Sequence, residues 1–289
     1  YGTAQNGLEI GRITYNPVTQ THVKKNIMNQ PAAGGFAGTW RIKVLIDAAD
    51  HNTIYTNYRD IFKSTNRGDT WTNITNGSLG NGTTPILFIY QSKSDPNVMV
   101  AGWQYVLKRT IDGGATWTTV NYPTGGISYP DQASLMIHPN DPNTMWACSG
   151  NKVQKTTDGG TTWSDVSGTL PSSVTLTTIF YQEGTSNGFY IAGTGGNIWY
   201  RDDVINDYVL FDNGLPNILV NEVEVLPHIG KIRAATWGRG IWESPLHTLS
   251  NNLCNKPSPP IINYSVCTTS SMMTIGAAPT GYNILWEKD

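Results

Sequence analysis

Charge is scarce in this chain. Asp, Glu, Lys and Arg make up 14% of its 289 residues, and the formal net charge is −2. Binding nucleic acid takes a concentrated basic patch, so this balance gives no electrostatic case for it. Long apolar runs are absent too. No stretch approaches the roughly eighteen residues of a membrane-spanning helix. There are only three cysteines. Cys148 stands alone, whereas Cys254 and Cys267 lie close enough to pair in an oxidising compartment; the alternative is three free thiols. The five histidines show no metal-ligand spacing, so neither metal nor other cofactor is expected. Gly-x-Ser-x-Gly, a Walker loop and His-Glu-x-x-His are all missing. Helical periodicity is absent, because Pro and Gly interrupt every would-be helix.

What is abundant points the other way. The chain has 30 Gly, 14 Tyr and 10 Trp among many Thr and Asn, the composition of short strands joined by tight turns. Three segments read alike: Ser64-Thr65-Asn66-Arg67-Gly68-Asp69-Thr70-Trp71, Thr110-Ile111-Asp112-Gly113-Gly114-Ala115-Thr116-Trp117 and Thr156-Thr157-Asp158-Gly159-Gly160-Thr161-Thr162-Trp163. Their tryptophans are spaced by 46 residues each time. A degenerate copy runs from Arg201 to Tyr208, and Thr236 to Ser244 keeps the first half of a fifth. Gly2 to Ile10 matches the corresponding half of an earlier unit. Such fixed-period self-similarity decides the architecture.

Each unit has one grammar. An apolar run (Pro85 to Tyr90) is followed by a polar turn (Ser94-Asp95-Pro96-Asn97), a second run (Val98 to Gly102), a tip, and a third strand through Leu107-Lys108-Arg109. The repeated turn then leads into a fourth strand at Trp117. Four strands in about 45 residues is the size of a propeller blade. The fold class is therefore all-β: a β-propeller of about five to seven four-stranded blades, incomplete at its N-terminus, over residues 1–249.

The three segments resemble the Ser/Thr-x-Asp-x-Gly-x-Thr-Trp pattern of Asp-box (BNR) repeats. Sialidases, xyloglucan-active hydrolases, sortilin-type receptors and photosystem-assembly propellers share that pattern, so the resemblance implies the fold and not the activity. It also implies that the turns lie opposite any active site. Their residues are read as structural. Asp112 and Asp158 can accept hydrogen bonds from their own turn, and Asn66 offers one acceptor oxygen in the first copy. Gly114 and Gly160 supply positive φ. Trp71, Trp117 and Trp163 are expected in equivalent buried places between blades.

After Leu249 the composition changes. Residues 250–260, rich in Pro, read as a linker. Ile261-Ile262, Met273 to Ile275 and Ile284 to Trp286 read as strands opening an immunoglobulin-like sandwich over 261–289. The stretch from Val223 to Ser244 is similar to the last blade of large secreted Bacteroidota proteins. In those, propellers precede Ig-like domains and a type IX sorting signal. That resemblance implies a secreted or cell-surface location. The chain starts at Tyr1 and stops just after a strand-like segment, and it is expected to be a piece of something longer.

In this grammar the tips between strands two and three share a rim with the inter-blade links. The rim collects Tyr58, Arg59, Asp60, Trp103, Gln104, Tyr105, Trp237 and Arg239, and the links add Phe36, Trp40, Tyr122, Tyr129 and Asp131. Exposed aromatic faces stack on sugar rings while Asp, Arg and Asn bind hydroxyls, so the expectation is a glycan-binding face. The competing reading is that these aromatics pack against their own loops. Trp237, in its Gly-rich setting, is expected to pack between blades, and Trp103 to stand exposed.

Catalysis is not expected. The Phe/Tyr-Arg-Ile-Pro signature of sialidases is missing, and Trp40-Arg41-Ile42-Lys43 keeps only its Arg-Ile pair. Asp60, Asp131 and Glu222 are acids by loop position, and nothing in the sequence pairs them. The leading expectation is a non-catalytic binding or scaffold module for an extracellular glycan or surface protein. The alternatives are a sialidase-like or xyloglucanase-like hydrolase and a protein-binding receptor-type propeller.

Overall fold

A computed structural model describes residues 1–3, 10–27, 42–79, 86–103, 106–121, 123, 134–212, 214–247, 263–267 and 270–274. The described strands form five consecutive blades, each starting at its inner strand and running outward in antiparallel order. Blade one holds β4 (Val44–Ile46), β5 (Ile54–Asn57), β6 (Ile61–Ser64) and β7 (Thr72–Asn73). In blade two are β8 (Phe88–Gln91), β9 (Met99–Trp103), β10 (Val106–Thr110) and β11 (Thr118–Val120). Blade three has β12 (Ser134–His138), β13 (Asp141–Ser149), β14 (Lys152–Thr156) and β15 (Ser164–Asp165). Blade four has β16 (Leu176–Tyr181), β17 (Phe189–Gly193), β18 (Ile198–Arg201) and β19 (Val209–Leu210). The fifth shows three strands, β20 (Val220–Leu226), β21 (Lys231–Thr236) and β22 (Gly240–Pro245). Ahead of them an N-terminal sheet, β1 (Gly2–Thr3), β2 (Ile10–Asn16) and β3 (Thr21–Asn26), packs on blade one through Ile10 and Ile27. Among the described residues the helical pieces are two single 3₁₀ turns, Thr194–Gly196 and Pro227–Ile229.

Why a stack of sheets follows from this sequence is visible in the second strands. Along β9, Met99 and Ala101 face the blade-one side, and Val100 faces blade three. Phe189 and Ile191 of β17 face blade three, while Tyr190 and Ala192 face blade five. A strand covered on both faces reads as an unbroken apolar run. Each core cluster thus lies between neighbouring sheets. Burying a large apolar side chain there contributes roughly 1.5–3 kcal/mol, so every blade is stabilised by its neighbours.

The repeated turns join strands three and four. In blade two, Thr110 Oγ1 donates to Asp112 Oδ1 (2.6 Å) and accepts from Gly114 N (3.0 Å). Asp112 then takes the Thr116 N–H (2.9 Å) and hydroxyl (2.6 Å). Blade three repeats all four bonds with Thr156, Asp158, Gly160 and Thr162. In blade one Asn66 replaces the aspartate. Its Oδ1 takes the Thr70 N–H (2.8 Å), and its amide donates to the Thr70 hydroxyl, reversing one bond. The hydrogen bond from the Thr110 hydroxyl, then that from Thr116, holds the Asp112 carboxyl at about 2. For Asp158 the Thr162 hydroxyl leads, with the same result. Gly68, Gly114 and Gly160 sit at φ near +90° with their Cα atoms against the preceding sheet. A Cβ on Gly114 would come 2.8 Å from Ile74 Cδ1, and one on Gly160 3.1 Å from Val120.

The aromatic residue after each turn reaches backwards. Trp71 Nε1 donates to Ile27 O, Trp163 Nε1 to Asn121 O and the Tyr208 hydroxyl to Val166 O, at 2.8–3.1 Å. Each acceptor carbonyl follows the last strand of the preceding sheet. Trp117 departs from this pattern, because its Nε1 bonds to Gly114 O within its own turn. Burial varies as well: Trp71 is buried, whereas Trp117 and Trp163 are half-buried, so the places are equivalent in register and unequal in depth.

Of the C-terminal region, β23 (Asn263–Cys267) pairs with β24 (Ser270–Thr274) as an antiparallel hairpin. A hairpin is not a sandwich. Ile261-Ile262, Ile284 to Trp286, the Pro-rich linker and Cys254 of the expected pair lie outside the described residues.

Candidate functional site

Antiparallel order puts the strand two–three tips on one side of the blades and the repeated turns on the other. At the tip of blade one, Tyr58 is 2% exposed and edge-on to Phe62. Burial pushes its hydroxyl up to about 12. A side chain so placed has no face left for a ligand. Asp60 accepts from Thr75 Oγ1 (2.6 Å), Gly77 N (2.7 Å) and Asn73 Nδ2 (2.9 Å). Burial opposes its charge, but these donors outweigh burial and lower its pKa. The carboxylate thus holds the loop after β7, with Arg59 half-buried beside it.

The two rim tryptophans exchange the roles expected of them. Trp103 ends β9 half-buried against the cluster containing Leu79 and Ile86. Trp237 is 62% exposed. Around it, Gly238 and Gly240 adopt positive φ with open space where a Cβ would stand, so the glycines serve a tight turn and not close packing. Ile241 and Trp242, at 73% and 41% exposure, follow on opposite faces of β22. Trp242 Nε1 donates to Arg239 O (3.1 Å), which steadies the tip and leaves the Arg239 side chain exposed. Among the described residues β22 pairs with β21 alone. Glu222 stands exposed on β20. Gln104, Tyr105, Tyr129 and Asp131, like Phe36, Trp40 and Tyr122, lie outside the described residues. The structure places Trp237 and Arg239 in one tip, tied through Arg239 O to Trp242, and leaves Tyr58, Arg59 and Asp60 in the separate, internally bonded tip of blade one.

A second place was missed by sequence reasoning. On the repeated-turn side, a cavity of about 740 Å³ opens between blades one and two. Leu45 and Ile46 line it together with Tyr1, His51, Arg67 and Lys93. Its wall is cross-bonded. Asp47 takes Gln91 Nε2 (2.7 Å), the N–H groups of Ala49 and Asp50, and the Tyr55 hydroxyl. Burial opposes the Asp47 charge, yet the four donors keep its pKa lowered. Gln91 Oε1 also accepts from Ala48 N, so one amide joins the two blades.

No protein-family model matches the chain, and no curated protein matches it. Solved structures do. A xyloglucanase of the GH74 family from Xanthomonas campestris superposes with a TM-score of 0.55 at 14% identity, over 72% of this chain and 37% of that one. An ancestral GH74 enzyme gives 0.53 at 16%, over 67% and 27%. YCF48 bound to D1 peptide gives 0.56 at 16%, over 80% and 69%. The chain thus spans well under half of the two GH74 structures. At such identities the likeness defines a class of fold, the β-propeller, which serves enzymes and non-enzymes alike.

Proposed function

We propose that this propeller is a secreted or cell-surface binding or scaffold module, built on Asp-box (BNR) turns and without hydrolase chemistry of its own. The carrying observation is the exposure of Trp237, with Arg239 also exposed two residues on, at the tip of blade five. An indole that stands in water two residues from an exposed arginine suits stacking on a sugar ring, with Arg239 bonding its hydroxyls. Extracellular glycans are therefore the ligand class we favour, ahead of a surface protein. The hydrolase alternative needs two carboxylates flanking a bond. Asp60, one of the acids considered for it, is already committed to three donors within its own loop.

A glycan array read with the wild type and with Trp237→Ala tests the proposal. Wild type should bind a defined subset of glycans, and the substitution should abolish that signal while shifting Tm by only a few degrees. Release of reducing ends from the bound glycans would overturn the non-catalytic reading. A blank array would overturn the glycan reading.

A further inference from the structure

The cavity between blades one and two is chemically unlike the rim. Leu45 and Ile46 make an aliphatic floor, and Arg67, Lys93 and the His51 ring also line the cavity. Among the described residues neither the Arg67 guanidinium nor the His51 ring makes a hydrogen bond, whereas Lys93 shares its charge with Glu183. The one acid in the lining, Asp47, is turned into the wall, where four donors surround it. Among the described residues, an anion entering the cavity meets the Arg67 guanidinium without a hydrogen-bond partner, and the lining acid Asp47 already held by donors.

Arg67 carries a second signal. It occupies the turn position held by Gly113 in blade two and Gly159 in blade three, and all three residues have positive φ, at +60°, +70° and +71°. Glycine adopts that conformation freely, while an L side chain is strained there. A long cation at the one copy that borders the cavity therefore sits against the conformational preference of its own turn. Backbone strain of this kind clusters at binding and switch sites. Arg67 N donates to Asn52 O and Arg67 O accepts from Arg12, so the backbone is fixed and the side chain is aimed by it.

We propose that this cavity binds a carboxylate presented by a peptide, with the guanidinium fork of Arg67 on the carboxylate and a neighbouring apolar side chain on Leu45 and Ile46. Arginine matches the two oxygens of a carboxylate in plane. The floor chooses the source. A uronic acid would ask for an aromatic platform, and only Tyr1 offers one here, whereas branched aliphatic walls suit Leu- or Phe-sized side chains. The site is separate from the rim of blade five and does not depend on the glycan reading.

The test uses the full chain and fluorescently labelled, terminally blocked hexapeptides carrying one Glu flanked by Leu and Phe, with a Gln counterpart. The Glu peptide should bind, with affinity falling as salt is raised, and the Gln peptide should bind at least tenfold more weakly. Arg67→Gly should weaken the Glu peptide at least tenfold while leaving Tm unchanged or higher, because glycine relieves the strained turn. Arg67→Lys, which keeps charge without the fork, should fall between. Trp237→Ala should leave peptide affinity unchanged, which separates this site from the rim. No binding at millimolar peptide would overturn the proposal, as would equal affinity in Arg67→Gly or a marked fall of its Tm. Equal competition by oligogalacturonate or by inorganic phosphate would overturn the peptide assignment.

Discussion

The repeated turns of blades one to three and the tip of blade five share Gly, Thr and Trp, and behave in opposite ways. In the turns, Gly114 and Gly160 lie against the preceding sheet, and Trp71 and Trp163 hydrogen-bond back to it. At the tip, Gly238 and Gly240 face open space and Trp237 stands in solvent. A Gly-Trp neighbourhood therefore does not say whether it packs. What decides is whether other described residues lie against it: the repeated turns and the tips carrying Tyr58 and Trp103 are covered, and the tip of blade five is not.

Paired glycine substitutions would break this comparison most sharply. Gly114→Val adds positive-φ strain and an overlap with Ile74, and should cost about 4 kcal/mol. Gly240→Val has the same kind of φ and nothing to strike, so about 1–2 kcal/mol is expected from strain alone. Equal losses in chemical denaturation would show that contact with the neighbouring blade contributes nothing. Next in size are the tryptophans. Trp71→Ala, at a buried indole bonded across the sheets, should cost about 3 kcal/mol, against about 1 kcal/mol for half-buried Trp117, which bonds only to its own turn. The order would reverse if the backward bond were incidental.

A smaller effect is set by pH. The folded-state pKa of Asp158 is depressed to about 2, from an ordinary value of about 3.9. A depressed carboxylate stabilises the fold fully above its unfolded pKa, and loses that contribution as pH falls through its folded pKa. The Tm gap between wild type and Asp158→Ala should stay constant from neutral pH to about 5, then close between about 4 and 2. A gap indifferent to acid would mean the carboxylate's charge plays no part in the turn. Least of all should Trp237→Ala move Tm, whatever it does to glycan binding.

The propeller was legible because its signal is periodic. Asp112 and Asp158 with their glycines recur at fixed spacing, and the bonds they make are local to each turn. Even the Asn66 copy was readable, since its one acceptor oxygen does the same work. The rim was less legible. Tyr58 and Trp103 share the rim side of the sheets with Trp237, yet burial there depends on Phe62, Leu79 and Ile86, whose approach no local pattern announces. The cavity was not legible at all from composition, because Leu45, Arg67 and Lys93 come from separate strands and turns. One clue did exist in the sequence. Arg67 stands where its sibling turns have glycine, and membership of a structural turn hid its departure from the pattern.

The backward bonds of Trp71, Trp163 and Tyr208 also give the molecule a direction. The carbonyl at the outer margin of one sheet finds its donor only in the sheet that comes later in the chain. The N-terminal sheet and blades two and three therefore overlap like tiles, each pinned by the one laid after it, whereas blade one lacks such a pin because Trp117 bonds within its own turn. Amide exchange at Val166 should accordingly respond to Tyr208→Phe in the following blade, although the substitution leaves every bond within blade three intact.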